Sequence, residues 1–270
     1  MIDQKVIHVV YCNQKYSSRN PLNNYAINEG TRELVGTQYK VTVGYPRPYI
    51  VVKSESTGTT DITNSEMAYL GYEGGIGAGR TGLRYKGGEG SIIRNNNIHH
   101  HLYFAFYSKE VGDITIENNH IYNNGHYGLD PHTGTHDMII RNNTIEDNGS
   151  IGIICSLDCY NITIENNRVF NNTKMGIMFS RNMYDSIARN NIVSDEDKGI
   201  VISESHNNTV INSGRGIDID KDSYQNVIRD NIIIGIQDPS YALYVEEAEQ
   251  NSLYSNILVN DDGQRISLDE

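Results

Sequence analysis

From residue 81 onward the apolar positions of this chain come in short alternating runs, and the runs return at a fixed interval. Aligned on their paired asparagines, SIIRNNNI (from Ser91), DITIENNHI (Asp113), DMIIRNNTI (Asp137), NITIENNRV (Asn161) and DSIARNNIV (Asp185) repeat one pattern, and the last four begin 24 residues apart. Looser copies begin at Asn208, Asn226 and Asn251. A second register runs through TGLRYK, FAFYSK, YGLDPH, IGIICS, MGIMFS, KGIVIS and RGIDID, whose second residues are Gly82, Ala105, Gly128, Gly152, Gly176, Gly199 and Gly216. Alternation over four to six β-branched positions predicts strands, which excludes a helical solenoid of similar period. A repeat holding two or more strands and an asparagine turn predicts one coil of a parallel β-helix.

The expected architecture is all-β, a right-handed parallel β-helix of roughly 8–10 rungs. Residues 1–40 lack the repeat and are assigned to an N-terminal cap, since an open coil exposes an unpaired strand edge. Residues 41–270 are assigned to the coil, with winding expected to begin at VTVGY (41–45) and YIVVKS (49–54). Stacked coils bring equivalent side chains within about 4.8 Å, so Asn118, Asn142, Asn166 and Asn190 are expected to form an internal amide ladder. The glycine-rich GYEGGIGAGRTG (71–82) lacks the strand-to-helix setting of a phosphate loop and is read as a loop flanking a groove.

Residues two apart on a strand face the same side. Counted from the small residue of the second register, positions +1 and +3 (Leu129/Pro131, Ile153/Cys155, Ile177/Phe179) are expected in the core. Positions +2 and +4 face out: Arg84/Lys86, Tyr107/Lys109, Asp130/His132, Ile154/Ser156, Met178/Ser180. Asp130 and His132 therefore share a face with a cationic track of Arg84, Lys86 and Lys109. Pro131 cannot donate to the ladder and removes one inter-strand bond beside them. The formal charge of −12 argues against nucleic acid, which normally requires a basic face; a charged ligand responds to the local track as well as to the total.

Cys12, Cys155 and Cys159 are odd in number and lack metal-type spacing, so no disulfide framework is expected. His99, His100 and His101 are contiguous, point different ways in a turn and give no ligand spacing. No apolar run is long enough to span a membrane, and MIDQKVIHVVYCNQ reads poorly as a signal peptide.

At Tyr127–His132 the chain resembles the mannuronan C5-epimerases, whose signature is close to YG[FI]DPH. The likeness is supported by the upstream SEMAYLGYEGG, by FAFYSKEVGDITIENNHIYNNGHYGLDPH and by later rungs such as MGIMFSR, covering roughly residues 60 to 230. The resemblance implies a right-handed β-helix enzyme, exported from the cytoplasm, that converts mannuronate to guluronate within an anionic polysaccharide of the alginate type. Such a reaction removes the C5 proton beside a carboxylate that must be neutralised and returns a proton from the opposite face. The family's roles carry over to Tyr127, Asp130 and His132. Tyr127 and His132 are then the acid/base pair in either order, Asp130 orients His132 or shares a proton with substrate, and Lys109 pairs with the sugar carboxylate. Strand alternation itself turns Tyr127 inward. Substrate-contact candidates are Arg84, Lys86, Tyr103, Tyr107, His126, Ser156, Asp158 and Arg181. The chain departs from the family in the rung after the signature, where a basic residue is replaced by Leu157 and Asp158. No cofactor is implied, and the calcium-binding nonapeptide repeats of secreted epimerases are absent. Two other readings stay open: a polyuronate lyase, which begins with the same proton abstraction but expels the C4-linked sugar, and a non-catalytic glycan-binding β-helix.

Overall fold

The structure is a computed structural model that describes residues 8–10, 31–33, 40–42, 49–71, 81–205, 209–211, 216–229, 232–236, 243–260 and 265–266. Cys12 and most of the glycine-rich loop lie outside the described residues, as does most of the proposed cap. The described chain is all-β, with parallel strands stacked into a coil of three sheets.

Sheet 1 carries the second register. Its parallel strands run from Tyr49–Val52 through Thr81–Tyr85, Phe104–Lys109, Leu129–His132, Ile151–Ser156, Met175–Ser180, Lys198–Ser203 and Ile217–Ile219 to Leu243–Val245. Sheets 2 and 3 carry the asparagine register, as in Thr115–Glu117 and His120–Tyr122 of one turn. Among the described residues, six turns contribute a strand to sheet 3. The winding begins at Tyr49–Val52 and not at 41–45: Lys40–Thr42 pairs antiparallel with Thr31–Glu33. The strand His8–Val10 lies antiparallel along Tyr49–Val52.

Each turn sends one apolar set inward. Ile140, Ile145, Ile153 and Cys155 of one turn stack on Ile164, Val169, Ile177 and Phe179 of the next, all fully buried. Burial of each large aliphatic contributes about 1.5–3 kcal/mol. The strict period keeps the contacts in register from turn to turn.

The paired asparagines divide their labour, and the expected ladder shifts by one residue. The first of each pair, Asn95, Asn118, Asn142, Asn166 and Asn190, takes positive φ between 55° and 58°, a conformation that asparagine tolerates better than most residues. The second, Asn96, Asn119, Asn143, Asn167 and Asn191, is buried and forms the ladder. From Asn96 to Asn167, each Nδ2 donates to the Oδ1 of the next turn at 3.0 Å. The corner residue bends the chain outward, and its neighbour consequently enters the coil. A second ladder joins Asn124, Asn148 and Asn172 at 2.9 Å per step and ends on Glu196, whose Oε1 accepts from Asn172 Nδ2 at 2.7 Å. The small residues of sheet 1 make room beside it. A Cβ on Gly152 would come within 2.8 Å of the Gly176 carbonyl and 3.0 Å of Asn172 Nδ2.

The outward faces differ in chemistry. On sheet 2 one column alternates charge, with Arg141 Nη2 2.7 Å from Glu117 Oε2 and Arg189 Nη2 2.6 Å from Glu165 Oε2. Sheet 3 carries stacked rings: Tyr122 lies 4.7 Å from His99 of the preceding coil and 4.3 Å from His120 of its own strand, centroid to centroid. Sheet 1 carries the signature residues.

Candidate functional site on sheet 1

Alternation holds along sheet 1. Leu83, Tyr85, Phe106, Leu129, Ile153 and Cys155 are buried in the core, while register pairing aligns Arg84, Tyr107 and Asp130 in one outward column and Lys109, His132, Ser156, Ser180 and Ser203 in the next. Lys86 follows the strand Thr81–Tyr85 at the level of Lys109. Around Pro131 the pairing with the following strand is made at Leu129–Ile153 and His132–Ser156, so the missing proline N–H interrupts the bonds without shifting the register.

Asp130 faces outward yet is only 2% exposed, and its Oδ1 has no hydrogen-bond partner. Arg84 Nε and Ser156 Oγ on the same face are likewise buried without a partner. Unpaired buried polar atoms are rare and costly, about 1–3 kcal/mol each, so three on one face mark a surface shaped for something other than stability. Burial holds the Asp130 carboxyl well above the ordinary carboxylate range, opposed in part by the charge of Arg181.

His132 is half-buried at the end of its strand. Its Nδ1 lies 2.6 Å from Thr133 Oγ1 and 3.4 Å from Tyr107 Oη. Burial, with the charges of Arg181 and Lys109, holds this imidazole below its ordinary pKa, so at neutral pH it is uncharged. Tyr107 and Tyr127 are pushed the other way, burial again being the main cause and the charge of Asp130 the next. Both phenols keep their protons at neutral pH.

Tyr127 does not turn inward as alternation predicts. The strand begins at Leu129, so Tyr127 sits at the corner before it, half-buried, with its ring stacked on Phe104 at 4.9 Å and 8°. His126 stacks on Tyr127 at 3.9 Å and meets Tyr103 edge-on at 4.7 Å. Arg84 lies over the Tyr107 ring, 5.1 Å from its centroid. Lys109 Nζ is 3.3 Å from Glu110 Oε1.

The structure thus gathers Arg84, Lys109, Tyr107, Tyr127, Asp130, His132 and Ser156 on one face, with Tyr103 and His126 at its edge. Arg181, in the turn two coils on, is exposed and acts electrostatically on Tyr127, Asp130 and His132 together. It occupies the turn column of Leu157, one coil later, as the parallel bonds Leu157 N to Ser180 O and Arg181 N to Ser203 O indicate. A cation absent from the Leu157 position is therefore present one coil further along. Asp158 is not drawn in: it lies in the turn, and its Oδ1 accepts from Asn182 Nδ2 at 2.6 Å.

Two residues beside the cluster escaped the sequence reading. Phe104 fills the corner position one coil before Tyr127, and aligning YFAFYSK with HYGLDPH would have revealed it. Thr133 carries no sequence signal, because only geometry shows its contact with His132. The histidine run separates only in part: His99 and His100 stay together, Nδ1 to Nδ1 at 2.7 Å, with His99 Nε2 3.0 Å from Glu66 Oε1, whereas His101 is buried with its ring nitrogens 3.3 Å from the Phe104 carbonyl and 3.1 Å from that of Met67. Among the described residues no group of three or more His, Cys, Asp or Glu side chains is arranged to hold a metal ion, and no helix is long and apolar enough to cross a membrane.

No curated protein sequence gives a significant match. The crystal structure of the periplasmic alginate epimerase AlgG aligns with a TM-score of 0.65 at 21% identity over 80% of this chain, which spans 63% of the AlgG chain. The A-module of mannuronan C-5 epimerase AlgE4 of Azotobacter vinelandii aligns at 0.58 and 18% identity, over 77% of this chain and 72% of that one. The Dettilon tailspike protein gp208 aligns at 0.56 and 17% identity, over 68% and 47%. Identities this low establish shared fold. A family model described as the right-handed β-helix region matches residues 49–213, well over half of the sequence, and the chain belongs to that family.

Proposed function

We propose that this protein modifies an anionic polysaccharide, converting mannuronate to guluronate by C5-epimerisation within a polyuronate chain. The observation that carries the reading is the outward face of sheet 1, where a neutral imidazole, protonated phenols, a buried unpaired carboxyl and cations converge on the YGLDPH segment. The similarity in fold to alginate epimerases supports it.

The chemistry divides among these groups. A uronate carboxylate opposes charge build-up at C5, so a cation must meet it first; Lys109, one coil before His132, and Arg181, two coils after it, supply that charge from either side. His132, uncharged at neutral pH, is the base that takes the C5 proton. Tyr127, whose phenol keeps its proton, is the donor that returns one from the other side of the sugar ring. Asp130, held toward its protonated form by burial, donates a hydrogen bond to substrate oxygen. Inversion follows because removal and return use opposite faces, and the glycosidic bonds stay intact.

The test is incubation with poly-mannuronate in heavy water, followed by NMR of the polymer. Guluronate carrying deuterium at C5 in unbroken chains is the expected result; unsaturated chain ends would show β-elimination instead, and absence of both would refute activity on this polymer. Tyr127→Phe should lose at least 100-fold in guluronate formation while retaining C5 exchange, since removal by His132 survives and return occurs from the same side. His132→Gln should lose both, with little change in thermal stability, because a half-exposed groove residue contributes little packing.

A further inference from the structure

In the turns that follow the central strands of sheet 1, from Phe104–Lys109 to Lys198–Ser203, the first residue takes positive φ: 52° at Glu110, 62° at Leu157, 52° at Arg181 and 49° at Glu204. These are ordinary left-handed values. The equivalent residue after the signature is Thr133, β-branched and at φ 29°, where such a side chain is a genuine outlier. Its backbone is pinned from both neighbouring turns, with N donating to the Ser156 carbonyl at 3.0 Å and O accepting from Glu110 N at 2.8 Å. Next to it Thr135 Oγ1 donates to the His132 carbonyl at 2.7 Å. Strain held in place by its surroundings points to a use for the side chain, and that side chain places Oγ1 2.6 Å from His132 Nδ1.

A neutral imidazole has one N–H, and the partner of one nitrogen decides which nitrogen stays basic. Two hydroxyl oxygens converge on Nδ1, those of Thr133 and Tyr107. A ring lone pair accepts one strong bond, whereas an N–H can be shared between two oxygens, so the arrangement fits Nδ1 as donor. We propose that Thr133 is a positioning residue that holds His132 in the Nδ1–H tautomer and leaves Nε2 with its lone pair as the proton acceptor. The inference rests on the reading of His132 as a base and adds the group that sets which nitrogen acts.

The experiment is ¹⁵N NMR of the full chain labelled at histidine, with His132→Gln assigning the resonance. At pH 7 the wild type should show His132 protonated at Nδ1. Thr133→Val keeps the branched shape and the strain but lacks the hydroxyl, so its His132 should become a mixture of tautomers; Thr133→Ser should restore the wild-type pattern. In the epimerase assay Thr133→Val should lower kcat 10- to 100-fold with KM little changed, and Thr133→Ser should recover most of it. A wild-type His132 protonated at Nε2, or a Val variant with an unaltered tautomer, overturns the proposal. The NMR result needs no turnover: the expected tautomer in a protein inactive on poly-mannuronate would refute the reaction and not the role of Thr133.

Discussion

His101 and Asp130 are buried ionisable residues one turn apart in sequence, and pH acts on them with opposite sign. Burial pushes the His101 imidazole down to about 4 from 6.5. The unfolded chain takes up this proton first, so the associated stability is complete above pH 6.5 and is lost as pH falls toward 4, on the order of 3 kcal/mol in all. An NMR titration should find His101 still neutral at pH 5, and urea unfolding should show stability declining across that window. For Asp130 the folded pKa lies above the unfolded one, so its contribution is full below pH 4 and is lost as pH rises. Asp130→Asn should therefore raise Tm at pH 7, a gain that disappears below pH 4, while epimerisation falls. The sequence revealed which way Asp130 faces, since alternation decides that. It did not reveal burial, which arises only once the adjoining coils stack on this strand, or the outward position of Tyr127, which follows from where the strand begins.

At the scale of the element, the ladders make neighbouring asparagines unequal. Asn143 Oδ1 accepts from Asn119 N and Nδ2, and its Nδ2 donates to the Ile116 carbonyl and to Asn167 Oδ1. Asn143→Ala would strand several buried partners, each costing about 1–3 kcal/mol when unpaired, and should destabilise by at least about 3 kcal/mol in urea unfolding. Asn142→Gly, at a positive φ of 55° that glycine adopts freely, should change stability by less than about 1 kcal/mol. The repeat was legible because a 24-residue period repeats its inward residues. Which asparagine of each pair entered the coil was not, since both occupy the same motif and only the corner geometry separates them. The second ladder was hidden for a related reason: its members, Asn124, Asn148 and Asn172, follow an exposed Asn or Asp in a segment whose other residues vary.

Across the whole molecule the outward face of sheet 1 grades in charge. Lys53, Arg84, Lys86 and Lys109 lie toward the first turns, serines occupy the middle, and Asp218, Asp220 and Glu246 lie toward the last. Lys198 Nζ meets Asp218 Oδ2 at 2.6 Å, leaving Asp220 and Glu246 to set the sign at that end. A polyanion is drawn to the early turns, and this attraction is screened over about 10 Å at 0.1 M salt. Lys86→Glu combined with Lys109→Glu should weaken poly-mannuronate binding at least 10-fold in 20 mM salt and far less in 300 mM, measured by titration calorimetry; equal losses at both would deny the charge a steering role. The second amide ladder also has a sense along the axis. Every Nδ2 points to the later turn, so the aligned amide dipoles leave their positive end at Asn172, where Glu196 receives it much as an acidic residue receives the first N–H groups of a helix. Glu196 thereby serves as a terminator. A coil lengthened by an extra turn ahead of residue 196 would need another asparagine at this position, with the carboxylate kept for the end of the row.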